Sequence, residues 1–169
     1  LLRKAGVTVI KGHAMFTGSG AVTVRDDAGV ATACTARRIV IATGASARAL
    51  PALPFDGDRV WSYREALSPS RQPGSLAVVG GGAIGLEFAS FYAAVGTKVT
   101  LIEREAMLLP GADPGVSRFV TKAYAAAGID VLTGAAVESV AVHGDGVELE
   151  VRTVAASRRI AAEATLVAV

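Results

Sequence analysis

The stretch Ser75 to Glu103, SLAVVGGGAIGLEFASFYAAVGTKVTLIE, constrains this chain more than any other. It opens with a continuous apolar run, Leu76 to Val79, short enough for a strand buried on both faces. That run meets Gly80-Gly81-Gly82-Ala83-Ile84-Gly85, in which Gly80, Gly82 and Gly85 satisfy G-x-G-x-x-G. A helical segment follows, with Leu86, Ala89 and Ala93 at packing spacing, and it ends near Gly96. A second apolar run, Val99 to Ile102, closes on Glu103. Strand, glycine turn, helix, strand and acid stand in the order a dinucleotide-binding unit requires.

Each part has a physical role. Gly80 permits a tight turn, Gly82 admits a pyrophosphate close to the backbone, and Gly85 lets the helix lie close on the strand. The helix N-terminus offers unpaired N–H groups and partial positive charge to phosphates. Glu103, 23 positions after Gly80, is placed to accept both hydroxyls of an adenosine ribose. A 2′-phosphate would meet like charge there, which favours NAD over NADP, and neighbouring Arg104 weakens that preference. Three glycines after a strand can also be a structural turn in some other α/β domain. The agreement of strand, helix and acid around them favours the nucleotide reading.

Bulk properties narrow the remaining classes. At 169 residues the chain can hold one core, or one domain and part of another. Its apolar runs are interrupted by glycine or charge, so none reads as a membrane span. A net charge of +2 with scattered Lys and Arg gives no footprint for nucleic acid, and 5% aromatic residues leave little for base stacking. The single cysteine, Cys34, excludes an internal disulfide and a Cys-based zinc site; it reads as a small half-buried strand residue. One cysteine suits a reducing compartment, and a cytoplasmic location is expected. His13 and His143 have no partners at metal-ligand or triad spacing, so neither a metal site nor a catalytic residue is expected. The start, LLRKAGVTVI, lacks an initiating Met and the order of a signal peptide, and reads as an internal start.

Along the chain, residues 1–45 predict β structure: Val7–Ile10, Ala21–Val24 and Val30–Thr35 as an antiparallel meander, with turns at 17–20 and 26–29. Arg38 to Ala42 is continuously apolar after its arginine and predicts a buried parallel strand ending on Thr43-Gly44. A hydroxyl and a bare backbone there suit a phosphate or ribityl chain, though an ordinary strand end would look the same. Four prolines, Pro51, Pro54, Pro69 and Pro73, mark a connector, within which Ser62 and Glu65 form a capping box opening a short helix. Trp61 is expected to pack locally. Leu108-Leu109-Pro110 predicts a turn, and Asp113-Pro114 starts a helix with Val116, Phe119, Val120 and Ala123 along one face. Ile129–Leu132 predicts a third parallel strand. Val137–Val142 and Val147–Val154 flank a hairpin turn at 143–146, and Ala164–Val169 predicts a last buried strand. The sum is an α/β fold, a parallel Rossmann-like sheet of β-α-β-α-β with a β-meander crossover, preceded by an antiparallel β segment.

Four stretches together resemble the flavin-dependent pyridine-nucleotide disulfide oxidoreductases, and within them the dihydrolipoamide dehydrogenase branch: Ile10–Ala14, Ile39–Gly44, Val60–Leu67 and Val78–Glu103. Leu108–Pro110 and Val137–Val140 also match. The resemblance implies roles that spacing does not show. Gly80, Gly81, Gly82, Ala83, Ile84, Gly85 and Glu87 would bind NAD, with Glu103 on the adenosine ribose, Val137 near the adenine and Glu87 near the nicotinamide–flavin contact. Ala14, Thr43 and Gly44 would touch FAD. Residues 1–48 would be the end of the first half of a split FAD-binding domain, 49–74 a connector, and 75–169 the NAD-binding domain.

The implied reaction passes electrons from a dithiol through an enzyme disulfide and FAD to NAD. The implied partners are NAD(H), a dihydrolipoamide-bearing acyltransferase complex and a second copy of the parent, with no nucleic acid and no membrane. The sequence departs from the family after Gly44, where Ala45-Ser46-Ala47-Arg48 lacks the usual proline. A Cys-x4-Cys redox pair, a second glycine fingerprint and a C-terminal dimerisation domain do not occur in it either. The expectation is an internal, inactive piece of a dehydrogenase. The alternatives are an NADPH-dependent mercuric, mycothiol or glutathione reductase of the same family, and a non-catalytic NAD-binding module.

Overall fold

Short turns shape the first 45 residues. In the computed structural model, which describes residues 1–169, the Asp26 carboxylate accepts the N–H groups of Ala28 and Val30 and closes one hairpin. Gly20, at φ +73°, closes the other. The result is a three-stranded antiparallel sheet of β1 (His13–Gly18), β2 (Ala21–Arg25) and β3 (Ala31–Thr35), in that order. The meander expected from the sequence is present, but its first strand is His13–Gly18 and not Val7–Ile10. The register runs from Gly18↔Ala21 to His13↔Arg25. Val7–Ile10 therefore lies beyond the end of a five-residue partner. Arg38–Ala42 also departs from expectation: it carries no ladder, and Val40 and Ile41 are 87% and 70% exposed. A strand buried on both faces needs neighbours and cover, and the meander supplies neither.

Residues Leu1–Ala45 and Ser46–Val169 form two separate compact units. In the second, β4 (Val60–Trp61), β5 (Ser75–Val79), β6 (Lys98–Ile102), β7 (Asp130–Leu132) and β11 (Ala164–Val167) make one parallel sheet. Its strand order is β4-β11-β5-β6-β7. Between β7 and β11 the chain builds an antiparallel sheet of β8 (Ala136–Val142), β9 (Val147–Arg152) and β10 (Ser157–Ala162). The helices are α1 (Tyr63–Leu67), α2 (Ala83–Ala94) and α3 (Pro114–Ala126). None is long and apolar enough to cross a membrane.

Alternation along the strands assigns their side chains to two cores. Leu76, Val78, Leu101 and Leu166 pack with Leu86, Ala89 and Tyr92 of α2. Ala77, Val79, Ile102 and Val167 pack with Val147, Leu149, Val151 and Ile160 of the antiparallel sheet. The parallel sheet is thus covered on both faces, which explains why its strands read as unbroken apolar runs.

Two local expectations need correction. The crossover has three strands rather than two, because the Thr153 hydroxyl accepts the Ala155 and Ala156 amides and turns the chain into β10. The stretch 49–74 is built into the second unit: Leu53 is fully buried and β4 pairs with β11. Its capping box forms as expected, with Glu65 accepting the Ser62 N–H at 2.7 Å.

In α3 the inward residues are Ser117, Val120, Thr121 and Tyr124, while Val116, Phe119 and Ala123 are exposed. Ser117 Oγ donates to the Leu108 carbonyl and Tyr124 Oη to that of Leu86. These bonds fix the helix about one residue, or about 100°, away from its most apolar face.

Candidate dinucleotide-binding site

At the carboxyl end of β5 the chain turns at Gly80, where φ is +115°. The Gly80 N–H donates to the Ile102 carbonyl at 2.8 Å. A Cβ on Gly80 would run into the Ala168 carbonyl that follows β11, and a Cβ on Gly85 would run into the Gly80 carbonyl. Helix α2 can therefore start this close to the strand only because both residues lack side chains. Gly82 is different. It sits at the N-cap with ordinary extended backbone, φ −76° and ψ −178°, and a Cβ there would meet nothing within 4 Å. The space that Gly82 leaves free lies on the outside of the turn.

No side chain caps α2 and no acidic residue lies in its first turn. Its leading N–H groups have no intrahelical partners, and the helix dipole adds partial positive charge at that point. Ala83 and Ile84 are exposed on the first turn, and Glu87 is exposed one turn later. On one side of β5 the chain runs outward through β6 and β7; on the other lies β11. The glycine turn thus stands at the reversal of strand order, where α/β sheets place their ligands.

Glu103 follows β6 and is only 7% exposed. Its Oε2 accepts the Gly81 N–H at 2.6 Å and its Oε1 accepts the Glu105 N–H at 2.7 Å. Each oxygen keeps further acceptor capacity, as a ribose diol requires. Arg104 pairs with its neighbour Glu105 at 3.0 Å. After β7 the chain returns past this acid: the Ala135 N–H donates to the Glu103 carbonyl at 2.9 Å, two residues before half-buried Val137.

The structure therefore brings Gly80–Gly85, Glu103 and the start of β8 together at one end of the sheet. It does not do this for the flavin set. Ala14 is exposed on β1, Thr43 and Gly44 are exposed outside any ladder, and nothing lies within 4 Å of a Cβ on Gly44. No flavin cradle forms from these three within residues 1–45.

Sequence reasoning missed what Gly81 does. It occupies an unconstrained position of G-x-G-x-x-G, yet it is buried, and a Cβ would meet Leu108 Cδ2 at 2.7 Å and Glu103 Oε2 at 3.0 Å. The one available signal was a third consecutive glycine where the motif does not ask for one.

Comparison with known proteins gives the family. The family model described as pyridine nucleotide-disulphide oxidoreductase matches residues 1–169. A dihydrolipoyl dehydrogenase of Zymomonas mobilis is 42% identical over 151 residues, 89% of this chain and 32% of the relative. The mitochondrial dihydrolipoyl dehydrogenase of Pisum sativum is 31% identical over 169 residues, 100% of this chain and 34% of the relative. Among solved structures, LpdA of Mycobacterium tuberculosis superposes with a TM-score of 0.81 at 26% identity, covering 99% of this chain and 37% of that one. The HOCl-induced flavoprotein disulfide reductase RclA of Escherichia coli gives 0.75 at 27% identity, covering 99% and 37%. The chain spans about a third of the length of these curated relatives, 32% and 34%. Glycine turn, acid, parallel sheet and a match along the whole sequence lead to one assignment: the chain belongs to the pyridine nucleotide-disulphide oxidoreductase family.

Proposed function

We propose that this chain is the NAD(H)-binding portion of a flavoprotein dihydrolipoyl dehydrogenase. The observation that carries the reading is the open, uncapped start of α2 at Gly82 beside the buried carboxylate of Glu103. The α2 amides would hold the pyrophosphate, Glu103 the adenosine ribose, and the β8 start at Val137 the adenine edge. Glu87, on the exposed side of α2, would lie toward the nicotinamide. When bound, NAD supplies a hydride acceptor. The residues of this chain bind and orient; none is assigned a bond-making role.

The parent would be a cytoplasmic homodimer serving a dihydrolipoamide-bearing acyltransferase complex. The buried Glu103 carboxylate would repel a 2′-phosphate, and Arg104, the adjacent cation in sequence, is paired with Glu105, which favours NAD over the NADPH of the related reductases.

Calorimetric titration with NADH and NADPH tests this. NADH should bind about tenfold or more tightly than NADPH, and Glu103→Arg should reverse the order. Gly82→Ala should leave the fold intact by circular dichroism yet weaken NADH, since its methyl fills the free space. Equal or better NADPH binding, or no binding of either, would overturn the reading.

A further inference from the structure

Leu109 is the only non-glycine residue with positive φ, at 52°. Such a conformation in a leucine is strained and persists only where its surroundings fix it. Here its N–H donates to the Gly81 carbonyl at 2.8 Å. The preceding Leu108 is fully buried, and its carbonyl accepts from Ser117 Oγ at 2.7 Å. Ser117 itself is 1% exposed, the one fully enclosed residue of α3. On the other side, the Gly81 N–H is held by Glu103. Gly81 is therefore gripped at both ends, by an acid from β6 and by a strained turn anchored on α3.

The geometry of a planar trans peptide gives this grip a direction. The carbonyl of Gly81 and the N–H of Gly82 belong to one peptide plane and point opposite ways. Drawing the carbonyl inward to Leu109 turns the Gly82 N–H outward, into the space at the N-cap of α2.

We propose that Leu109 and Ser117 are positioning residues for the dinucleotide: through the Gly81 carbonyl they aim the Gly82 amide at the pyrophosphate. This rests on the NAD(H) reading above. The left-handed turn at Leu109, anchored by buried Leu108 and Ser117, maintains a donor geometry that the glycine turn, being free to rotate, would not hold alone.

The test uses the full chain with Ser117→Ala, Leu109→Pro and Leu109→Asn. Proline removes the N–H and cannot take positive φ, whereas asparagine keeps the N–H and tolerates it. Ser117→Ala and Leu109→Pro should each raise the NADH dissociation constant about fivefold, and Leu109→Asn should hold it within about twofold. In Ser117→Ala the Leu109 amide should exchange faster with solvent, while Val78 and Leu101 amides keep their rates. NADH should also shift the Gly82 amide resonance of the parent chain more than that of Ser117→Ala.

Parent-like NADH affinity in both Ser117→Ala and Leu109→Pro would overturn the proposal, leaving the brace merely structural. Uniform acceleration of Val78, Leu101 and Leu109 exchange would overturn it as well. Failure of the parent chain itself to bind NADH would overturn the function first, and this proposal with it.

Discussion

The two units of this chain contain similar apolar runs with opposite fates. Ile39-Val40-Ile41 in the first unit and Leu76-Ala77-Val78-Val79 in the second are both continuous and rich in strand-forming residues. The second run is at most 6% exposed; the first is at least 37% exposed and has no ladder. Indeed no residue of Leu1–Ala45 is buried. The difference lies in the surroundings. β5 has a strand on each side, α2 over one face and an antiparallel sheet over the other. The meander of the first unit is held by backbone ladders and turns without a core, and such sheets are marginal. Strand propensity is a capacity, and neighbours decide whether it is used.

Hydrogen exchange should show the largest contrast. Amides of Val78, Leu101 and Leu166 should be protected on the order of a thousandfold more than those of Met15, Thr23 and Ala33. Comparable protection in the two units would show that the first has a core of its own.

Truncation sharpens the same contrast. Leu101→Ala, in the fully buried centre of β6, should cost about 2–5 kcal/mol, whereas Phe16→Ala, on exposed β1, should cost less than about 0.5 kcal/mol. Hydrogen exchange of the Met15 and Thr23 amides measures the second cost, and chemical denaturation followed by the fluorescence of Trp61 measures the first. It is the sole tryptophan, buried in the second unit with its indole N–H on the Asp58 carbonyl, so the signal belongs to that unit. Equal effects of the two substitutions would break the comparison.

The smallest effect is acid sensitivity of the second unit. At Asp56 burial pushes the carboxyl up, but the backbone N–H groups of Val60, Asp58 and Arg59 more than offset it, leaving it low. The Ser62 hydroxyl holds Glu65 low, and the Arg71 guanidinium does so for Glu163. Carboxylates held low when folded stabilise above the ordinary carboxylate range and lose that contribution as pH falls through their folded values. The Trp61 transition should therefore move to lower temperature from about pH 5 to about pH 2. Glu65→Gln should flatten that fall slightly; an unchanged slope would remove Glu65 from the account.

What could be read in the sequence follows the same division. The β5–α2–β6 unit was legible because its signals are local: a glycine turn, a helix start and a terminal acid within one span. The capping box at Ser62 and the Asp113-Pro114 start were legible for the same reason. The rotation of α3 was not legible because two side-chain hydrogen bonds, from Ser117 and Tyr124, set it against the apolar pattern. Arg38–Ala42 was misassigned because its pattern states only what it could do beside other strands. The grip on Gly81 was illegible, since Leu109 meets it through a backbone N–H and Ser117 reaches only the Leu108 carbonyl, and no residue type announces either contact.

The placement of β11 also has a consequence in time. Thr165 Oγ1 donates to the Ala77 carbonyl across 88 positions of chain, and β11 separates β4 from β5. During synthesis at about 5–20 residues per second, β5 waits roughly 4–18 s for that neighbour. Until then one edge of an apolar strand stands open to other nascent chains. Closure of the sheet is thus a late, non-local event, and slow folding is expected of it even though the nucleotide turn beside it is local.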